Sequence, residues 1–266
     1  MKIPDGEAPG PRKVAPGTVQ ADARSVRLLL ALTSLVAALP AGARSPATEP
    51  AAAASVSTRD VEPSGFVDLK EYVPGLVVEL RYATADNFVG QPIDGYEAPR
   101  ALANAPTARA LRSVQEELGR HGLGLKLFDA YRPQRAILHF IRWARDPAPS
   151  TTAATHHPGL RKPELFEQGY LNLQSSHARG SAVDVTLIRI HANTPAEELD
   201  LGTPFDFFGP AAAPDFAGLT PEQRRNRDLL RQMMERHGFV GSEREWWHFS
   251  LRDEPDPETA YDFPIR

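Results

Sequence analysis

The chain has 266 residues, 41% hydrophobic and 24% charged, which is enough apolar content for a sizeable core and too much for wholesale disorder. A net charge of −4 provides no basic excess to neutralise phosphates, which argues against nucleic-acid binding as the main task. There is no cysteine, so disulfides, Cys-ligated zinc, iron–sulfur clusters, thiol nucleophiles and a lipid on an N-terminal cysteine are excluded, and any metal must be held by His, Asp and Glu.

Residues 1–27 are polar and carry Arg12, Lys13, Arg24 and Arg27. A twelve-residue apolar run, Leu28–Leu39, follows, and then Ala41-Gly42-Ala43. A basic lead, a short apolar stretch and a small-residue site together predict a secretory signal peptide over 1–43. The run is too short to span a bilayer comfortably. Two alternatives stay open, a buried helix of the folded domain and an uncleaved membrane anchor. The polar lead is long for such a peptide, and a start downstream of Met1 would shorten it. Residues 44–58 are almost wholly Ala, Pro, Ser and Thr and cannot bury enough surface to order themselves. A linker is therefore expected over 44–65, with one domain over 66–266.

The periodicities then take the domain in order. Leu76–Tyr82 (LVVELRY) predicts a short strand. Thr107–Arg120 sets Leu111, Val114, Gln115 and Leu118 at helical spacing, with Gly122 as the stop. Leu125–Asp129 alternates as a strand. Pro133 suits the first turn of a helix reaching about Arg145, with Ile137, Phe140, Ile141 and Trp143 on its apolar side. His156-His157, among Thr, Ala, Pro and Gly, reads as a solvated loop pair. Ser181–Ile190 is strand-like. Thr220-Pro221-Glu222-Gln223 forms a capping box that opens a helix carrying Leu229, Leu230, Met233 and Met234 and ending at Gly238. On that helix Arg224, Arg225 and Arg227 read as its solvated face, and His121 and His237 sit at predicted helix C-termini. Glu245–Leu251 is the last strand expected. Strands interleaved irregularly with three helices predict an α+β fold, a small and mainly antiparallel sheet packed with helices. Long loops at 83–104, 146–174 and 191–219 are left to frame a site.

Three short segments concentrate the chemistry. Ser175–Asp184 (SSHARGSAVD) places His177 seven residues before Asp184, with Gly180 freeing the backbone between them. Glu245-Trp246-Trp247-His248 sets a carboxylate three residues before an imidazole. Asp129–Pro133 puts Arg132 at a strand-to-helix turn. Two His and one Asp form a sound zinc set with the fourth position open. A free Glu nearby could act as general base, and an Arg could face a developing oxyanion. Taken singly, each piece is more readily explained by satisfied core or loop histidines and packed tryptophans.

As a set, SSHARGSAVDVTL, FDAYRPQRA and EWWHFSLRDEP resemble the D-alanyl-D-alanine dipeptidases, zinc enzymes known from vancomycin resistance. LRYATADNFVGQPIDGY, PFDFF and the closing YDFPIR extend the resemblance over roughly 66–266. It implies a zinc DD-peptidase, hedgehog-like α+β fold with one Zn2+ per chain. His177, Asp184 and His248 would be its ligands, Glu245 the catalytic base and Arg132 the transition-state stabiliser. Tyr82, Ser175 and Asp206 would contact substrate, with Asp206 near its ammonium. The chain departs from the family in its N-terminal segment, in the loop at 191–203 and at 156–170.

The function expected is zinc-dependent hydrolysis of the dipeptide D-Ala-D-Ala to two D-alanines, in cell-wall turnover or glycopeptide resistance. The alternatives are a zinc DD-carboxypeptidase or endopeptidase acting on longer wall peptides, and a non-catalytic wall-binding module. The partners expected are that dipeptide, no nucleic acid and no stable membrane insertion after cleavage. The compartment expected is periplasmic, reached by the general secretory route because no consecutive arginines precede the apolar run. The cytoplasm is the alternative.

Overall fold

The computed structural model describes residues 62–266, so the expected export segment and the expected linker up to residue 61 lie outside the described residues. The first element, β1 (Phe66–Asp68), runs straight into a single helical turn, α1 (Leu69–Tyr72), because the Asp68 carboxylate caps Lys70 N at 3.0 Å. The apolar run at 76–82 gives less strand than its composition predicts. Only β2 (Val77–Val78) is paired, and Arg81–Ala83 closes into a 3₁₀ turn that delivers Tyr82 to the interior. β3 (Leu102–Asn104) pairs antiparallel with β1, and its last residue caps α2 (Ala105–Gly119), since Asn104 Oδ1 accepts from Thr107 N at 3.0 Å. The predicted face of α2 is the buried one, Leu111, Val114, Gln115 and Leu118. Buried Gln115 is satisfied because its Oε1 accepts from Leu125 N, tying α2 to β4 (Leu123–Asp129) at 2.8 Å.

Pro133 stands as the N-cap of α3 (Gln134–Arg145), whose buried stripe is Ala136, Ile137, Phe140 and Ala144 with His139. Ile141 and Trp143, expected on that stripe, are only half-buried. The loop expected at 146–174 contains two single turns, α4 (Ala153–His156) and α5 (Glu164–Glu167). β5 (Ala182–Arg189) is buried through all but its last residue, which explains its unbroken apolar reading. β6 (Glu197–Glu198) is a short pairing at the end of β5. α6 (Pro221–Arg236) opens on the capping box as predicted, with both reciprocal bonds present. β7 (Phe239–Gly241) has no counterpart among the expected strands, and β8 (His248–Leu251) starts three residues later than expected.

These strands form a sheet in the order β2-β4-β5-β8-β7, with β6 beside the far end of β5. Every pairing in it is antiparallel except β2 with β4. The fold is therefore α+β with a small, mainly antiparallel sheet, as expected. α2 and α6 pack on each other and on the strands. A ring of aromatic contacts, Tyr82, Phe88, Phe140, Phe205 and Phe208, fills the space beside α3.

Two polar expectations need correcting. Arg227 is buried, not solvated. Its guanidinium donates to the carbonyls of Leu201 at 2.7 Å, Ala213 at 2.6 Å and Ala211 at 2.9 Å, closing both feet of the 201–213 loop on α6. With no carboxylate in that set, burial lowers its pKa to about 10. His157 is likewise buried, with Nδ1 on Leu160 O at 2.9 Å and Nε2 on Ser150 Oγ at 3.0 Å, and His156 is half-buried. The segment 150–160 is a braced turn and not a solvated loop.

Candidate active site

Sheet register does most of the assembly. Across three adjacent strands, Asp129 of β4 stands opposite Asp184 of β5, and Asp184 stands opposite His248 of β8. Three residues far apart in sequence thus lie side by side on one surface. His177 arrives from a 3₁₀ turn, Ser176–Arg179, whose start is capped when Ser175 Oγ accepts from His177 N at 3.3 Å. The turn ends at Gly180 with φ 66°, and a Cβ there would stand 2.5 Å from Phe66 Cε1 and 3.0 Å from Asn104 N. Only glycine fits that close approach. Glu245 sits on the turn before β8, which opens because the strand begins at His248. That turn is tied to the 201–213 loop by Trp246 N to Ala212 O at 3.1 Å and Trp246 Nε1 to Thr203 Oγ1 at 2.8 Å.

His177, Asp184 and His248 present ligand atoms that all lie within 4.8 Å of one another. His177 Nε2 is 3.1 Å from His248 Nδ1 and 3.3 Å from Asp184 Oδ1, which is 3.1 Å from His248 Nδ1. Each of these atoms is an acceptor. His177 gives its Nδ1 proton to Ala130 O at 2.6 Å, leaving Nε2 bare. His248 Nε2 lies 3.2 Å from Ser250 Oγ, and when the ring hydrogen points there Nδ1 is left bare. Three converging lone pairs with no donor between them repel unless a cation sits among them. Ligands held about 2.0–2.1 Å from a tetrahedral metal stand about 3.3 Å apart, so the observed spacing fits a zinc-sized ion. Among the described residues no other His/Asp/Glu group of this kind occurs.

Outer contacts hold the ligands in place. Asp184 is buried, so its carboxylate needs positive partners to stay charged. Its second oxygen accepts from Arg132 at 3.2 Å. Arg132 Nε also donates to buried Asp129 at 2.9 Å, and Asp129 accepts from Tyr96 Oη at 2.7 Å and lies 3.5 Å from His177 Nδ1. The guanidinium is stacked over Tyr82 at 4.9 Å.

Sequence reasoning misses Asp129 and Ser250. Asp129 lies inside the FDAYRP segment, three residues before Arg132. Ser250 follows His248 by two, and strand alternation puts both on one face. Because Ser250 fixes the His248 tautomer, Ser250→Ala is expected to weaken zinc binding by about ten- to a hundredfold. Competition against a chromogenic chelator measures this. Ser250→Thr, which keeps the hydroxyl, should bind like the parent, and equal affinity in all three proteins would contradict the assignment.

A cleft of about 410 Å³ joins all eight expected site residues. Tyr82, Arg132, Ser175, His177, Asp184, Asp206, Glu245 and His248 all line it. Glu245 is pushed up to about 8 by desolvation and the Asp184 charge, against the pull of Arg132 and Arg244. Asp206 is buried, and its carboxylate accepts from Tyr82 Oη at 3.0 and 3.2 Å. Desolvation and then the Asp184 charge raise its pKa well above the ordinary value, although Arg132 opposes them. Such perturbed groups converging in one cleft are the mark of a catalytic site.

Comparison with known proteins agrees with this geometry. The sequence model of peptidase family M15, described as D-ala-D-ala dipeptidase, matches residues 62–266. A D-alanyl-D-alanine dipeptidase of Enterococcus faecium is 39% identical over 202 residues, covering 76% of this chain and 98% of that protein. One from Streptomyces coelicolor is 40% identical over 200 residues, covering 75% and 96%. A solved zinc complex of a vancomycin-resistance D,D-pentapeptidase, VanY, aligns with 62% of this chain and 80% of its own at 12% identity and a TM-score of 0.35, too slight a likeness to carry an argument.

Proposed function

The chain belongs to the D-Ala-D-Ala dipeptidase family of peptidases, and from that premise we propose that it hydrolyses the dipeptide D-Ala-D-Ala to two D-alanines, using one zinc ion held by His177, Asp184 and His248. The observation that carries the reading is a single cleft uniting three inward-facing acceptors, a half-buried Glu245, a charged Arg132 and a buried Asp206. A module that only binds wall fragments needs neither the base nor the arginine.

When bound, the zinc ion supplies Lewis acidity that makes water nucleophilic near neutral pH and polarises the scissile carbonyl. Glu245 takes a proton from the attacking water on a carboxylate oxygen and returns it to the leaving amine nitrogen. Arg132 is engaged by Asp129, Asp184 and Tyr96, and the rest of its five N–H groups are left for the carbonyl oxygen as negative charge grows there. Asp206, oriented by Tyr82, pairs with the substrate ammonium and so fixes where the chain of the substrate begins. A buried carboxylate at that point favours a free dipeptide over a longer peptide, whose acylated nitrogen carries no charge to offer it. No covalent enzyme intermediate is required.

The test compares D-Ala-D-Ala with its N-acetyl derivative. Because an unpaired buried carboxylate is costly, the derivative is expected to react at least about a hundredfold more slowly in kcat/KM. Comparable rates would favour a carboxypeptidase acting on longer wall peptides.

We also propose that residues 1–43 direct export and that residues 44–65 tether the domain, which places the enzyme in a periplasm-like space. No helix among the described residues is long and apolar enough to cross a membrane. There the substrate would be D-Ala-D-Ala freed in wall turnover and not the cytoplasmic precursor pool. Cell fractionation with N-terminal sequencing decides this. The expected product begins just after Ala43, and a cytoplasmic protein retaining 28–43 would overturn the proposal.

A further inference from the structure

Asp206 is the one non-glycine among the described residues in the left-handed backbone region, with φ 59°. Aspartate tolerates that conformation better than most residues, but a neighbour must still hold it there. His156 supplies the hold. As the last residue of α4, it faces the main-chain carbonyl of Asp206 with Nδ1 at 3.1 Å, a contact that exists only when Nδ1 carries a hydrogen and donates. Its own carbonyl accepts from Phe208 N at 2.6 Å, so one residue grips the loop on both sides of Phe207, at 206 and at 208.

The grip has a firm base. His156 N donates to Thr152 O at 3.0 Å, and the adjacent His157 is buried and bonded at both ring nitrogens. Arg227 fastens the two feet of the same loop from α6, and Tyr82 fixes the carboxylate itself. His156 is the contact that sets the Asp206 backbone between them.

We propose that His156 is a positioning residue for amine recognition: it holds the Asp206 backbone so that the carboxylate is pre-aimed at the substrate ammonium. This rests on the reading of Asp206 as the ammonium partner. His156 touches no reacting atom, so its influence runs through substrate binding and not through the proton transfers of Glu245. A carboxylate that wanders binds the ground state and the transition state equally less well, which raises KM and spares kcat.

The test uses the zinc-loaded protein in three single variants and one double variant. His156→Leu fills the space of the ring and removes the donor, while His156→Asn retains an N–H near the place of Nδ1. The leucine variant is expected to raise KM for D-Ala-D-Ala about tenfold, the scale of one lost hydrogen bond, with kcat within about threefold of the parent. The asparagine variant should restore KM. In an Asp206→Asn background, whose own KM should already be high, His156→Leu should add nothing, because its effect passes through the missing charge.

If Asp206→Asn leaves KM unchanged, the ammonium reading itself falls. If Asp206→Asn raises KM but His156→Leu does not, or its effect persists undiminished in the double variant, the positioning role is overturned. A fall in kcat and zinc content in place of a rise in KM would show a merely structural role and would overturn it too. Should the leucine variant fail to fold, His156→Ala takes its place in both backgrounds: a tenfold rise in KM that vanishes with Asp206→Asn supports the proposal, and an unchanged KM contradicts it.

Discussion

Glu245→Ala is expected to lower kcat for D-Ala-D-Ala by about 10²- to 10⁴-fold while the protein stays folded and keeps its zinc. Glu245 lines the cleft, but its shifted pKa has only desolvation and charge as causes, with no hydrogen bond among them. Removing the side chain therefore strands no partner and takes no ligand from the metal cluster. What disappears, on the proposed reaction, is the group that moves a proton from water to the leaving nitrogen. The loss should fall on kcat and kcat/KM together, the mark of an interaction used in the transition state. Steady-state kinetics with parallel zinc analysis measures it. A fully metallated Glu245→Ala protein with near-parental kcat would show that another group is the base.

Asp184→Ala is expected to have the opposite signature, loss of the metal itself. Asp184 is the hinge of the cluster. One carboxylate oxygen faces both imidazoles, and the other accepts from Arg132. Its loss should weaken zinc binding by more than the roughly 10- to 100-fold that follows removal of an outer contact. It should also destabilise the fold by about 1–3 kcal/mol, because the half-buried Arg132 guanidinium loses one of its two carboxylate partners. Zinc content after dialysis, and thermal unfolding of parent and variant, read the two effects separately. An Asp184→Ala protein that retains zinc through dialysis would remove Asp184 from the ligand set.

The elements legible in the sequence are those with local causes. α6 is announced by Thr220, Pro221 and Gln223 within four residues, and α2 by an apolar stripe that the structure buries at the same positions. β5 is legible because a strand covered on both faces reads as an unbroken apolar run. The cluster of His177, Asp184 and His248 is legible for a different reason, because its motifs as a set resemble the D-alanyl-D-alanine dipeptidases although each alone reads as packed core. What stays hidden is non-local. β7 has three residues, too few for any periodicity, and exists because β8 pairs with it. Glu245 reads as strand because Trp246 and Trp247 look strand-like, but both pack into the core from a turn.

Arg227 and His156 escape a sequence reading for one shared reason. Their partners are main-chain carbonyls, at 201, 211 and 213 for the arginine and at 206 for the histidine. A carbonyl leaves no trace in the identity of the residue that carries it. An arginine among arginines on a helix therefore looks solvated, and a histidine among Thr, Pro and Gly looks like loop. The loop those residues hold carries Asp206, so the least legible contacts of the domain are the ones that fix the loop of that buried carboxylate.

Dipeptide hydrolysis by this chain should depend wholly on the metal held by His177, Asp184 and His248. The deciding measurement is D-alanine released from D-Ala-D-Ala by protein stripped with a chelator and then titrated with zinc. No release is expected from the stripped protein, and activity should rise linearly to a plateau at one zinc per chain. Release that continues unchanged in the stripped protein, or that zinc fails to restore, would contradict that dependence.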